Sequence, residues 1–174
     1  MKLDGKYHRL KVTLVNKQKW ALQARHGYFA PHGETDPEAR ADEEMQQAIF
    51  SQEELRELPV DCKTQFFRGA NGVRLFVVAR LETKELKFRR AGDRNTDKLT
   101  ASMVIFDGNG NLITGEQKTM DLRLTDATLE RINKTGISIK SSFQLQPGNY
   151  PVRIVVRGSE GSQMAATNLG VVIP

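Results

Sequence analysis

From Leu58 to the end of the chain, apolar and polar residues alternate with a period of two, which predicts β-strands. In the run VRLFVVARL, Val73, Leu75 and Val77 fall on one side and Arg74 and Phe76 on the other. About eight such runs follow one another, separated by Gly-, Asn- and Pro-containing turns, which is typical of an antiparallel sandwich. Because helical patterns are nearly absent between the runs, the sequence argues against a parallel sheet. The predicted strands are 58–66, 73–81, 86–88, 99–106, 112–124, 137–145, 150–157 and 163–172, with a short helical crossover at 125–133.

The N-terminal residues show the same alternation in two shorter runs. Residues 7–15 and 18–25 each alternate, and Asn16 and Lys17 stand between them at turn spacing, which predicts a β-hairpin. An isolated hairpin is only marginally stable in water, so this one needs a partner surface.

The segment after the hairpin changes to a helical period. Asp36 followed by Pro37 is a favourable helix start, and Met45, Ala48 and Ile49 recur at helical spacing, which predicts a helix over 37–50. The sequence therefore divides into a hairpin at 1–31, a helical linker at 32–57 and a sandwich at 58–174.

One local motif points to a specific sandwich class. The string LQPGNYPVRIVV places Tyr150 just after a Pro-Gly turn at the start of a late strand. In immunoglobulin-like and fibronectin type III-like sandwiches, a tyrosine at such a corner donates its hydroxyl back to the backbone. We expect Tyr150 to have this structural role, and the fold class to be mainly β, an Ig-like antiparallel sandwich.

The charge of the chain permits anionic partners without requiring them. The 174 residues contain 26 Lys and Arg and 21 Asp and Glu, a net charge of +5. One segment, 84–98, concentrates the basic residues and is the candidate anion-binding site, although a solvated loop at a sheet edge has the same pattern. Its three acids and single aromatic, Phe88, argue against nucleic acid. The candidate residues are Lys84, Lys87, Arg89, Arg90, Arg94 and Lys98.

No pattern in the sequence predicts catalysis, a metal site or a cofactor. Asp107–Asn111 begins like a calcium loop, but Leu112 and Lys118 stand where an EF-hand needs Gly and Glu, so we expect a plain hairpin turn. The three histidines lack the compact spacing of zinc ligands. Cys62, the single cysteine, falls on the apolar side of its strand and is expected to be unreactive.

Neither a secretory signal nor a membrane span is predicted within these residues. The first ten residues lack an apolar stretch of the secretory type, and no apolar run approaches the roughly 18 residues needed to cross a bilayer.

The N-terminal strings DGKYHRLKV and ARHGYFAP resemble the VWFA-related proteins of Acidobacteria, in which similar strings close a von Willebrand A-like domain. The strings ITGE, LQPGNYPVR and the terminal VVIP resemble that family's closing region. The D-x-S-x-S string of metal-dependent adhesion sites is missing, so this resemblance implies no metal-dependent adhesion. The matching N-terminal residues are Asp4, Gly5, Tyr7, Leu10, Val12, Arg25, Gly27, Tyr28 and Pro31.

The resemblance implies an exported bacterial protein, located in the periplasm, cell envelope or medium, of which the A-like domain is mostly absent from this chain. Together with the residue patterns, it leads us to expect a non-catalytic interaction or spacer domain. The alternative is a module that binds an anionic polymer or glycan through residues 84–98. The expected partner is a protein, either the A-like domain or another chain, and the open hairpin edges predict a homodimer.

Overall fold

The computed structural model describes residues 7–9, 27–29, 36–69 and 72–174. By its contacts the chain divides into two compact units, Met1–Glu43 and Glu44–Pro174. The strands are β1 (Tyr7–Arg9), β2 (Gly27–Phe29), β3 (Leu55–Arg56), β4 (Val60–Gly69), β5 (Gly72–Leu81), β6 (Arg89–Ala91), β7 (Arg94–Phe106), β8 (Leu112–Leu124), β9 (Ile137–Leu145), β10 (Gly148–Gly158) and β11 (Met164–Ile173). The helices are α1 (Pro37–Phe50) and α2 (Asp126–Thr135).

Two antiparallel sheets make up the larger unit. In the large sheet, β3, β11, β10 and β7 follow one another, and both β6 and β8 pair with β7. The small sheet has the order β4-β5-β9. Helix α2 connects β8 of the large sheet to β9 of the small one, which confirms the predicted crossover. The fold is therefore mainly β, an Ig-like antiparallel sandwich.

The apolar core lies between the two sheets. Leu75, Val77 and Ala79 of β5 are fully buried, as the alternation predicts, and they belong to the same cluster as Val152 and Ile154 of β10. This cluster removes most of the large aliphatic side chains from water, which is the main stabilising contribution to such a fold.

The other face of the large sheet is also covered. Met45, Ala48 and Ile49 of α1 pack in a second cluster that includes Val155 of β10 and Val104 of β7. Strand β10 is consequently buried on both faces from Val152 to Val156. The compact unit thus begins within α1, at Glu44, rather than at residue 58.

The N-terminal unit contains a short antiparallel ladder. Tyr7 lies opposite Phe29 and Arg9 lies opposite Gly27. Residues 27–29 are thus a strand, which lies beyond the two predicted strand runs 7–15 and 18–25. The predicted strand 18–25 and the turn at Asn16 and Lys17 lie outside the described residues.

Most strand positions agree with the alternation, and three do not. The third predicted strand is at Arg89–Ala91 instead of 86–88, and Leu86 is buried in a loop. Strand β7 begins at Arg94 because β6 extends its ladder. Phe66 lies opposite the buried Leu75, on the inner side of the edge strand β4, but remains 38% exposed.

Candidate interaction surface

Each arginine of the basic segment has an acidic partner, two of them distant in the sequence and one within the segment. Arg89 forms an ion pair with Glu160 at 3.4 Å, and Arg94 pairs with Asp93 at 3.5 Å. Arg90 pairs with Asp126 at the start of α2. The hydrogen bond from Arg90 is the main cause that lowers the pKa of Asp126. Because all three arginines have an acidic partner, the structure brings no dense group of unpaired arginines together here. The lysines of the segment, Lys84, Lys87 and Lys98, are exposed.

We expect replacement of Arg89, Arg90 and Arg94 together by alanine to change the binding constant for an anionic matrix by less than about twofold, because their charges are already compensated. A matched triple variant of Arg74, Arg80 and Lys140 removes the same net charge. These three are exposed and form no ion pair with another described residue. Salt elution from the matrix measures both, and a larger loss in the first variant than in the second would contradict the expectation.

Within this segment, a buried carboxylate holds the turn between β10 and β11. Asp97 Oδ1 accepts the backbone N–H groups of Ser159 at 3.0 Å and Glu160 at 2.9 Å. Its Oδ2 is buried and has no hydrogen-bond partner among the described residues. Burial is the main cause that raises the pKa of Asp97, against the lowering effect of the amide bonds. The contacts indicate a structural role for Asp97.

A buried arginine on the outer face of the large sheet was not anticipated from the sequence. Arg153 is 2% exposed, and burial lowers the pKa of its guanidinium. Its Nε donates to the carbonyl oxygen of Ala48 at 2.9 Å and its Nη2 to that of Glu53 at 2.6 Å. Its Nη1 donates to Asn168 Oδ1 at 3.1 Å. Arg153 therefore satisfies the C-terminal end of α1, which has no basic residue of its own.

Tyr150 is placed at the corner between β9 and β10. Its hydroxyl donates to the carbonyl oxygen of Gln146 at 2.9 Å. A Cβ on Gly148 would lie 3.1 Å from that hydroxyl, so glycine leaves room for the ring. The hydrogen bond ties the start of β10 to the preceding turn.

The Asp107–Asn111 segment forms a turn between β7 and β8. Asp107 Oδ1 accepts the amides of Asn109 and Asn111, both at 2.8 Å, and Oδ2 accepts the Asn111 side chain at 2.9 Å. These bonds, the Asn111 side chain first, lower the pKa of Asp107. Both carboxylate oxygens of Asp107 thus accept hydrogen bonds within the turn, and these bonds stabilise the hairpin between β7 and β8.

Cys62 packs against the core from β4 and is half-buried. Burial, with a smaller contribution from Asp61, raises the pKa of its thiol to about 11. The thiolate is the nucleophilic form, so the side chain is protected from electrophiles at neutral pH.

We expect Cys62 to react with iodoacetamide at pH 8 about a hundredfold more slowly than a thiol of pKa 9.0, because the thiolate fraction is lower by that factor. The folded state holds the proton more tightly than the unfolded chain, so stability is lost as the pH rises from 9 towards 11. Alkylation rates across pH 7–10, with unfolded protein as control, measure the reactivity of the thiol. Unfolding experiments across the same pH range measure the stability, and a Cys62→Ser variant should lack the loss of stability at high pH.

One edge of the small sheet is exposed together with aromatic side chains. Phe67 of β4 is 54% exposed, and its ring meets that of Phe76 on β5 edge-to-face, with centroids 5.7 Å apart. Arg74 lies directly opposite Phe67. Lys63 lies on the same face of β4 as Phe67, four residues before it. We call the strand Val60–Gly69, with Arg74 and Phe76 beside it, the β4 edge.

The described part of the chain contains no group of three or more His, Cys, Asp or Glu residues that could hold a metal ion. Neither of its two helices is long and apolar enough to span a bilayer.

Comparison with known proteins gives structural likenesses at low sequence identity. No protein-family model matches the sequence, and no curated protein matches it. A glycosyl hydrolase family 2 member from Bacteroides cellulosilyticus is 14% identical with a TM-score of 0.46, and the likeness covers 68% of this chain and 16% of that one. A Bacteroides uniformis β-glucuronidase is 13% identical with a TM-score of 0.41, covering 66% and 13%.

The PKD domain of the human VPS10 domain-containing receptor SorCS2 is 16% identical with a TM-score of 0.32, covering 71% of this chain and 79% of that one. This chain thus spans less than a fifth of the two hydrolase chains. At these identities and TM-scores the likenesses carry no argument about function, and the sandwich stands on the sheet topology of the chain itself.

Proposed function

We propose that this chain is a non-catalytic interaction or spacer domain of an exported bacterial protein. The observation that carries the proposal is the β4 edge, where Phe67 and Phe76 are exposed and in ring contact, and the partly exposed Phe66 adjoins Phe67 on the same unpaired strand. Exposed aromatic side chains with neighbouring arginine are enriched at protein interfaces. Export rests on the resemblance to VWFA-related proteins.

The alternative function, binding of an anionic polymer through residues 84–98, has less support. Its three arginines already pair with Glu160, Asp126 and Asp93, and a polymer would have to displace those acids. Exposed pairs of this kind contribute little to stability, but they reduce the free positive charge that a polyanion would contact.

Photo-crosslinking in the producing bacterium tests the proposal. A photoreactive phenylalanine analogue at position 67 should give defined adducts, found in the envelope or secreted fraction. The same analogue at position 50 is the matched control, because Phe50 is 51% exposed and packs edge-to-face on Phe106 in the same way. Equal adducts at both positions, or adducts at neither, would reject the interaction role, and purely cytoplasmic protein would reject export.

A further inference from the structure

The two lateral sides of the sandwich differ in how they are closed. On one side, Lys118 of β8 donates to the carbonyl oxygen of Lys140 on β9, and the Glu116 carboxylate bonds to Ser141. These contacts join the edges of the large and small sheets. On the opposite side, among the described residues, one side-chain hydrogen bond joins β4 to the end of the chain after β11, from Arg68 to the carbonyl oxygen of Pro174 at 3.3 Å.

Strand β4 carries charged side chains but has neither the bulge, the proline nor the short length that protect many edge strands. It pairs with β5 over ten residues in unbroken register, without a bulge and without proline. No other described segment pairs with its outer side. In the large sheet, by contrast, the edge strand β3 has only two residues. A long and regular edge with exposed apolar side chains is a template for another strand.

The side chains of β4 extend this template to both faces. Phe67 points to the outer face with Phe76, whereas Phe66 pairs with Leu75 on the inner face and stays partly exposed. A strand added to β4 would place alternate side chains on the two faces, so it would cover Phe66 with one set and Phe67 with the other.

From this geometry we infer that the β4 edge binds an extended acidic segment of a partner protein by strand addition; this inference rests on the proposed interaction role. The unpaired N–H and C=O groups of an edge strand require a backbone that alternates donors and acceptors at the same repeat, which a polypeptide supplies and a sugar or phosphate polymer does not. The backbone therefore selects the class of partner.

The charge of the β4 edge selects acidic side chains. Lys63, Arg68 and Arg74 are exposed along it, against the single acid Asp61, which lies 3.8 Å from Lys63. A second copy of this chain would bring the same cations to the opposite side, and like charges across strands destabilise the pairing. Glutamate or aspartate alternating with apolar residues fits both the cations and the phenylalanines.

Binding of a defined peptide tests the inference. The probe is a capped, fluorescent decapeptide in which glutamate alternates with valine, titrated into the full chain and followed by anisotropy. We expect saturable binding that weakens as salt rises, with slower amide hydrogen exchange in β4. Phe67→Ser should weaken it about tenfold, the effect expected of an aromatic side chain at an interface centre. The matched Phe50→Ser variant should change it less than about twofold.

Three further experiments show which kind of partner binds the β4 edge. The same peptide with N-methyl groups on alternate amides keeps its charge but loses the N–H donors on one side of the strand. Equal binding by both peptides would overturn strand addition. Complete competition by inorganic polyphosphate at equal charge would assign the surface to polyanions and overturn it too. A dimer in sedimentation that is abolished by Phe67→Ser, without peptide binding, would assign the edge to a second copy.

The outcome separates this inference from the proposed function. Position-specific adducts at residue 67 in the cell, without peptide binding in vitro, would retain the interaction role and reject the acidic strand. If neither adducts at residue 67 nor peptide binding is found, the interaction role and the acidic strand are both rejected.

Discussion

Replacing Arg153 by alanine is expected to lower the free energy of unfolding by about 3–5 kcal/mol. The guanidinium is buried beneath α1 and forms no ion pair with a carboxylate of the described residues. It donates instead to the carbonyl oxygen of Ala48 in the last turn of the helix, to that of Glu53 in the following segment, and to the Asn168 side chain. Removing the donor leaves the buried carbonyl oxygen of Ala48 without this partner and opens a cavity beneath the helix.

Urea unfolding followed by circular dichroism measures this effect. Arg153→Met fills most of the space without supplying donors, so it should still lose more than about 2 kcal/mol if the hydrogen bonds are responsible. Arg123→Ala, at an exposed arginine of the same sheet, should stay within about 0.5 kcal/mol of the parent. A loss below about 1 kcal/mol for Arg153→Ala would show that water replaces the guanidinium without cost.

The sandwich was predictable because one face of most strands is buried and the other is not. In β5 and β9 the alternating burial follows the alternating sequence residue by residue, and the predicted limits of β8 and β9 agree with the structure. A one-residue slip would reverse both faces, so the pattern strongly constrains these elements.

The role of Arg153 was not predictable from that pattern. In the run VRIVV, alternation assigns Arg153 to a solvent-exposed face, but that face is covered by α1. Two signals together could have indicated it. The helix ends in FSQEE, without a glycine cap or a basic residue, so its last carbonyls need a donor from elsewhere, and a lone arginine in an apolar strand is a candidate.

The pairing of the basic segment was also hidden from the sequence. Glu160 and Asp126 are far from Arg89 and Arg90 along the chain and meet them only through the β10–β11 turn and the start of α2. Local charge density therefore overestimated the free charge. The exposure of Phe67 was not predictable for a different reason, because the sequence does not show that β4 is an edge strand.

A chain shortened to residues 58–174 is expected to lose cooperative unfolding, whereas residues 36–174 should retain it. The shorter chain keeps all sandwich strands except β3, but it lacks Met45, Ala48 and Ile49, whose burial contributes about 1.5–3 kcal/mol for each large side chain. It also uncovers the apolar residues Val104 and Val155, on which α1 packs, and removes the Ala48 and Glu53 acceptors of Arg153. Together these losses approach the whole stability of a typical domain, about 5–15 kcal/mol.

Differential scanning calorimetry of the two fragments, with binding of a hydrophobic dye, measures this difference. The full-length variant Ile49→Asp is the control for chain length, since it disrupts the same packing without truncation and should lower the melting temperature by several degrees. If residues 58–174 melt cooperatively near the temperature of residues 36–174, the helix is a detachable linker. Failure of the shorter chain alone would instead show that α1 belongs to the folding unit, since its C-terminal half and Arg153 complete the outer layer of the sandwich.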